Sequence, residues 1–127
     1  TLNADNLSDK TLDISAVLDA GCVATMHQLK LVGRLYPAFI ADLPANLAAL
    51  RAAVAAADSP AVQQLTHRLR GSAAQLGAAG LARALHEIEE AATVESGAIV
   101  EAANAGLDDL VRATITALLR ELDRASK

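Results

Sequence analysis

The sequence predicts an all-α protein, an antiparallel four-helix bundle, and its pattern also allows a short extra N-terminal helix. Hydrophobic residues make up 53% of the chain and aromatic residues only 2%. The core must therefore be built from Ala, Leu, Val and Ile, which favours closely packed helices over a β-sandwich. Apolar residues also recur at three- and four-residue steps, the spacing of amphipathic helices. The 127 residues fit one domain around one core.

The N-terminal third contains a linker-like segment and the longest predicted helix. Residues 1–11 are polar and indicate a linker, so the bundle is assigned to residues 12–127. A short helix is expected over residues 12–20, with Gly21 as its stop. An apolar stripe then runs through residues 24–57, interrupted by Pro37 and Pro44. Each proline removes an amide donor, which leaves either two helices or one kinked helix. One kinked helix is expected, because the stripe keeps its phase across both prolines.

The remaining helices have clear boundary signals. Asp58 and Ser59 supply capping side chains, and Pro60 costs nothing in a first helical turn. The helix that begins there is expected to end near Gly77, where the sequence GAAG predicts a turn. The two helices that follow are predicted over residues 81–92 and 98–124.

Composition argues against several classes of function. The net charge is -4 and basic runs are missing, so neither nucleic acid nor an anionic membrane is an expected partner. A single cysteine, Cys22, allows no disulfide framework and no multi-cysteine zinc site. The longest apolar runs are far shorter than the roughly 18 residues of a membrane span. A start at Thr1 with a polar leader indicates a piece of a larger protein, with this domain in the cytoplasm.

His67 is the residue on which a function can be built. At about 100° per residue it lies about 160° from the apolar sector of its helix, so it is expected to face solvent. Gly71 and Ala74, one and two turns along, are too small to screen the ring. Glycine inside a helix costs about 1 kcal/mol, which the close approach of another surface would explain. Arg70 lies within reach and would attract an anion carried on the nucleophilic imidazole. These features are typical of a phosphate carrier.

The segment HRLRGSAAQLG resembles the histidine-containing phosphotransfer domain, or HPt domain, and the resemblance extends over the predicted helices from Ala24 onward. The family motif is His-x-Leu-Lys-Gly-Ser, a small-residue run and Leu-Gly. It is matched by His67, Leu69, Gly71, Ser72, Leu76 and Gly77. Arg70 stands where the family usually has lysine, so the charge is kept and the geometry of a phosphate contact changes. Glu89 matches a position where the family often has an acidic or amide side chain near the active histidine.

The resemblance implies a phosphorelay intermediate. His67 would take a phosphoryl group from an aspartate of one receiver domain and give it to an aspartate of another. Arg70 and Glu89 would contact the phosphate or orient the ring, and Gly71, Ala74 and Gln75 would admit the partner. The receiver would bring Mg²⁺, so no cofactor is expected here. Because no nucleotide motif is present, the isolated domain is expected not to be an enzyme. It is expected to be monomeric, and its parent could be a membrane-anchored hybrid sensor kinase.

Other interpretations remain for the same residues. A helical docking module could bind a partner without phosphotransfer. His86 and Glu89 lie one turn apart, but a di-metal bundle needs a second such pair, and no metal site is expected. Cys22 carries no nucleophile motif, which disfavours a hydrolase. His27 is expected on the surface at the start of the long helix. The hydroxyl of Ser72 is expected at the flank of the buried face. A structural role and a functional role are equally compatible with that position.

Overall fold

Five helices make up the described part of the chain in the computed structural model, which covers residues 17–93 and 106–126. They are α1 Ala20–Gln28, α2 Val32–Ala55, α3 Ser59–Gln75, α4 Ala79–Ala92 and α5 Leu107–Ala125. No strand occurs within these residues. Helix α2 packs on α3 and α5, and α4 packs on the same two helices, which closes a four-helix bundle. The predicted all-α bundle with an extra N-terminal helix is confirmed.

The core is aliphatic, as the composition predicted. Its largest fully buried side chains are Leu18, Leu43, Leu50, Leu81, Leu85, Ile88 and Leu118, together with Tyr36. The Tyr36 hydroxyl donates a 2.9 Å hydrogen bond to the carbonyl of Leu76, just beyond the end of α3. This bond satisfies a polar atom on each side of an otherwise apolar contact.

Helix α1 begins at a capping aspartate rather than ending at a glycine. The Asp19 carboxylate accepts hydrogen bonds from the backbone N–H groups of Gly21 at 3.0 Å and Cys22 at 3.3 Å. Gly21 therefore lies in the first turn of a helix, and its predicted role as a stop was wrong. A capping side chain three residues before an apolar segment is a stronger local signal than one glycine. Of the short helix predicted over residues 12–20, Val17 is helical and the chain then bends before α1, while residues 12–16 and the linker-like residues 1–11 lie outside the described part.

The long predicted helix is divided before the prolines, not at them. Residues 24–28 belong to α1, and α2 starts only at Val32. Lys30 between them has a left-handed φ of 59°, and Leu29, expected in the apolar stripe, is 61% exposed. The predicted start was wrong because neither glycine nor proline marks this break. The prediction of one helix through Pro37 and Pro44 is confirmed.

Helix α2 is long and mostly apolar, with Arg34, Asp42 and Arg51 as its charged residues. Within the described residues it is the helix long and apolar enough to span a membrane by length and composition, with a mean hydropathy of 1.3 over 18 residues. It also supplies core side chains and packs against α3 and α5, as a core helix of a bundle does.

The turn between α3 and α4 is tighter than the sequence predicted. Helix α3 starts after Asp58, whose carboxylate accepts from the Ala61 N–H at 3.2 Å, as the capping signal predicted. It ends at Gln75, and α4 begins at Ala79, so Gly80 lies buried inside α4 instead of in the turn. The turn is formed by residues 76–78.

Gly77 joins this turn to α1. Its φ of +87° is the left-handed conformation that favours glycine, and an added Cβ would lie 3.1 Å from Val23 Cγ2. The Asp19 N–H donates to the Gly77 carbonyl at 2.7 Å. The end of α3 is thereby fixed against the start of α1. Helix α5 begins at Leu107 after Gly106, and the predicted residues 98–105 lie outside the described part.

Candidate functional site

His67 lies in the middle of α3, with its side chain 69% exposed. The opposite face of the helix is buried through Val62, Leu69 and Ala73. Because α3 is capped at its first turn and fixed at its last, the ring projects from a rigid element. The structure places His67 on the solvent face, as the helical period predicted.

Two charged side chains converge on one nitrogen of the imidazole. Glu89 reaches across from α4 and places Oε2 3.3 Å from His67 Nδ1. Arg70, one turn along α3, places Nη2 3.2 Å from the same Nδ1. The Nε–H group of Arg70 also donates to Glu89 Oε1 at 3.0 Å. His67, Arg70 and Glu89 are called the His67 cluster below. The other ring nitrogen, Nε2, lies across the ring from these contacts.

A shallow pocket opens beside the cluster. It is lined by Gln63, Gln64, His67, Arg68 and Glu89. Arg68, interpreted from the sequence as a surface residue, thus joins His67 at the same pocket. The sequence signal for this placement was that Arg68 directly follows His67. That signal is weak, because consecutive residues of a helix point about 100° apart. The amide groups and the exposed guanidinium of this pocket suit an anion, whereas the Glu89 carboxylate on its lining repels one.

A sequence profile of the Hpt domain family matches residues 34–125, from the first turn of α2 to the end of α5. The chain belongs to the Hpt domain family. Hpt domains are histidine phosphotransfer modules of two-component phosphorelays and have no kinase activity of their own. No curated protein and no solved structure matches the chain.

On the exposed side of α3 in this Hpt domain, the residues one and two turns along from His67 are small. Gly71 and Ala74 are both exposed, and an added Cβ at Gly71 would meet nothing within 4 Å. The fold therefore does not require glycine at this position. Gln75 is exposed on the same helix. Ser72, expected at the flank of the buried face, is also exposed, and it lines a groove between α2 and α3 together with Phe39.

The other histidines of this Hpt domain lie away from the His67 cluster. His86 Nε2 lies 3.3 Å from Glu90 Oε2, so Glu89, not Glu90, is the carboxylate of α4 that reaches His67. Within the described ranges, no three His, Cys, Asp or Glu residues are grouped to hold a metal ion. His27 is half-buried in the last turn of α1, with Nε2 2.7 Å from Glu121 Oε1. Its predicted place on the surface of the long helix was wrong.

Cys22 packs between α1 and the end of α3. Its thiol is half-buried and donates to the carbonyl of Gln75 at 3.4 Å. Burial raises the pKa of the Cys22 thiol, and the negative charge of Asp19 raises it further. A raised pKa lowers the thiolate fraction near neutral pH, and the thiolate is the nucleophilic form. The geometry assigns Cys22 to packing.

Proposed function

We propose that this Hpt domain is a phosphorelay intermediate in which His67 Nε2 carries the phosphoryl group. The observation that supports the proposal is the His67 cluster. Two side chains hold Nδ1 while Nε2 lies on the opposite side of a ring that is 69% exposed. A nucleophilic nitrogen suits transfer between proteins when the opposite ring nitrogen is held by hydrogen bonds and the ring is exposed to solvent.

The transfer step needs only a lone pair from this domain. Nε2 attacks the phosphorus of an aspartyl phosphate on a receiver domain, the N–P bond forms, and the P–O bond breaks with its electron pair returning to the aspartate. The ring then carries a positive charge with the proton still on Nδ1, and the Glu89 carboxylate lies 3.3 Å away to offset that charge. The return step to a second receiver reverses these bond changes.

The remaining components are assigned to the partner. A receiver domain would supply the acidic pocket and the Mg²⁺ that phosphoryl transfer between carboxylate and imidazole requires, so this domain needs no cofactor. Gly71, Ala74 and Gln75 would form the surface on which the receiver approaches. We place the domain in the cytoplasm, monomeric when isolated, as a part of a hybrid sensor kinase.

Transfer from receivers tests the proposal directly. A panel of receiver domains carrying labelled aspartyl phosphate is incubated with the wild type, His67→Gln and His86→Gln. The last variant is the matched control, because His86 is also exposed but lies on α4 and pairs with Glu90. Acid-labile, alkali-stable label on the wild type and His86→Gln, and none on His67→Gln, is the expected result.

The same experiment separates phosphotransfer from docking. Label on His67→Gln equal to the wild type would overturn the assignment of His67. Binding of a receiver by the folded wild type without transfer from any member of the panel would favour the alternative function, a docking module. In that case the groove between α2 and α3, which contains the half-buried Phe39, would be the surface to examine.

A further inference from the structure

We infer that Arg70 and Glu89 compete for His67 Nδ1, and that the balance between them sets the lifetime of the phosphohistidine. The inference deepens the proposed function and rests on it for its biological meaning. Its chemistry concerns only residues of this chain.

The competition follows from the hydrogen-bonding properties of three groups. Nδ1 carries either a proton or an available lone pair, never both. An ionised carboxylate only accepts hydrogen bonds and a guanidinium only donates them. Glu89 Oε2 at 3.3 Å therefore favours the protonated nitrogen, while Arg70 Nη2 at 3.2 Å favours the unprotonated one. Both side chains reach the same atom at nearly equal distances, so one contact is unfavourable in either state.

The two competitors are also bonded to each other. Arg70 Nε donates to Glu89 Oε1 at 3.0 Å, with both side chains partly buried between α3 and α4. The planar guanidinium makes this possible, because Nε and Nη2 point in fixed directions from one group. Neither side chain can leave Nδ1 without disturbing the other. The cluster thus places a donor and an acceptor beside the ring together.

Among the described residues, one further charged side chain lines the pocket beside the ring. Arg68 lines the pocket beside His67, and it stands on the same helix as Arg70. On α4, Glu90 is paired with His86. The local balance is therefore determined mainly by Glu89 against Arg70, with Arg68 adding a more diffuse positive field.

The proton on Nδ1 decides how easily the N–P bond breaks. When Nδ1 is protonated, attack of water or of a receiver carboxylate on phosphorus releases neutral imidazole, because the electron pair of the N–P bond returns to Nε2. When Nδ1 is unprotonated, the same step must release an imidazolate anion, a much poorer leaving group. With water as the attacking group the other product is inorganic phosphate, and the proton of the water passes to solvent. Glu89 thus favours a labile phosphohistidine, and Arg70 favours a persistent one.

Chemical phosphorylation allows a test that needs no receiver. The purified domain is phosphorylated on histidine with phosphoramidate, and loss of the phosphohistidine is followed by ³¹P spectroscopy between about pH 5 and 9. The variants are Glu89→Gln, Arg70→Gln and Arg68→Gln, each checked for folding by circular dichroism. Arg68→Gln is the matched control, since it removes the same charge from the same helix without a contact to Nδ1.

Opposite shifts are expected for the two competitors. At pH 7 to 8, Glu89→Gln should lengthen the half-life about 2- to 5-fold and move the acceleration of hydrolysis to lower pH, within the range of partly exposed ion pairs. Arg70→Gln should shorten the half-life by a similar factor and move the acceleration to higher pH. Arg68→Gln should shorten it by less than half as much as Arg70→Gln.

The unphosphorylated ring provides a second signature. In ¹⁵N spectra above about pH 8.5, where an ordinary histidine is neutral, Glu89→Gln should raise the share of the Nε2–H tautomer and Arg70→Gln the share of Nδ1–H. Shifts of the same sign in Glu89→Gln and Arg70→Gln, or equal effects of Arg68→Gln and Arg70→Gln, would overturn the inference. If no receiver transfers phosphate while these shifts occur as expected, the proposed function fails and the inference about Nδ1 stands.

Discussion

Three histidine–glutamate pairs occur in the described part of this bundle, and two of them differ in almost everything except residue type. His27 and Glu121 lie 2.7 Å apart, with side chains only 28% and 10% exposed. His67 and Glu89 lie 3.3 Å apart, with the histidine 69% exposed. The first pair ties α1 to the end of α5, whereas the second holds one nitrogen of an open ring. The pair His27 and Glu121 is called the His27 clamp below.

The difference shows that surroundings, rather than residue type, decide what such a pair does. In the His27 clamp the carboxylate is buried, so loss of its partner would leave a desolvated charge. In the His67 cluster, solvent screens the ring and Arg70 shares the carboxylate, so the pair contributes little to stability and much to the state of the ring. Substitutions at the two pairs should therefore differ in their effect on the free energy of unfolding.

The largest loss of stability is expected at the His27 clamp. Glu121→Ala should lower the free energy of unfolding by about 2 kcal/mol, because a partly buried charged hydrogen bond is lost and the ends of α1 and α5 separate. Urea denaturation measures this value. Glu90→Ala is the control, since the exposed pair with His86 should contribute no more than about 0.5 kcal/mol. Equal losses in the two variants would contradict the contrast between buried and exposed pairs.

A smaller loss is expected at Tyr36, which lies between the His27 clamp and the end of α3. Tyr36→Phe removes the hydrogen bond to the Leu76 carbonyl and should cost about 1 kcal/mol at neutral pH. Equilibrium unfolding of both proteins in urea at pH 7 measures the difference. No loss in Tyr36→Phe would show that the carbonyl finds another donor.

Tyr36 should also make the domain sensitive to alkali. Burial, with smaller contributions from the nearby Cys22 and Glu121, raises the pKa of the Tyr36 hydroxyl to about 12. Because the folded pKa exceeds the unfolded value of about 10, the folded state holds a proton that the unfolded chain loses. Stability should be fully present below about pH 10 and fall between about pH 10 and 12. In Tyr36→Phe this part of the fall should be absent.

A gain of stability is expected beside the His67 cluster. Gly71→Ala places a methyl group in open space within a helix and should raise the free energy of unfolding by about 0.5–1 kcal/mol. The same methyl group should slow phosphotransfer from a receiver that approaches this surface. Gly77→Ala is the contrasting variant. Its φ of +87° and its contact with Val23 should make that change destabilising. A stabilised Gly71→Ala with unchanged transfer would show that the receiver does not approach here.

The smallest change in stability is expected at His67 itself. His67→Gln should alter the free energy of unfolding by no more than about 0.5 kcal/mol, since the side chain is mostly solvated. His27→Gln, compared in the same urea titration, should lose more because its carboxylate partner is buried. If His67→Gln were the less stable of the two, the His67 cluster would have a structural role.

Local physics made most of α3 predictable. A capping aspartate, a proline in the first turn and a 3.6-residue period are properties of one segment, and they placed His67 on the solvent face. Arg70 follows from the same period, because residues three apart on a helix are neighbours. Glu89 was indicated by the family resemblance. The roles of these residues stay predictions until transfer is measured.

Contacts between distant segments could not be read in the same way. The break before α2 has no glycine or proline, and Lys30 adopts a left-handed φ there. His27 and Glu121 are 94 residues apart in the chain, and no local pattern pairs them. The atoms through which Arg70 and Glu89 meet His67 depend on how α4 packs against α3.

The sequence by itself determined the fold class, the solvent-facing histidine and the family. These depend on composition, helical period and a contiguous motif, each of which can be read without knowing which segments pack together. Only the tertiary structure decided which carboxylate each histidine meets, and how deeply each pair is buried. Burial and partner geometry arise from packing between helices, so the same two residue types became a structural clamp in one place and a candidate phosphotransfer site in another.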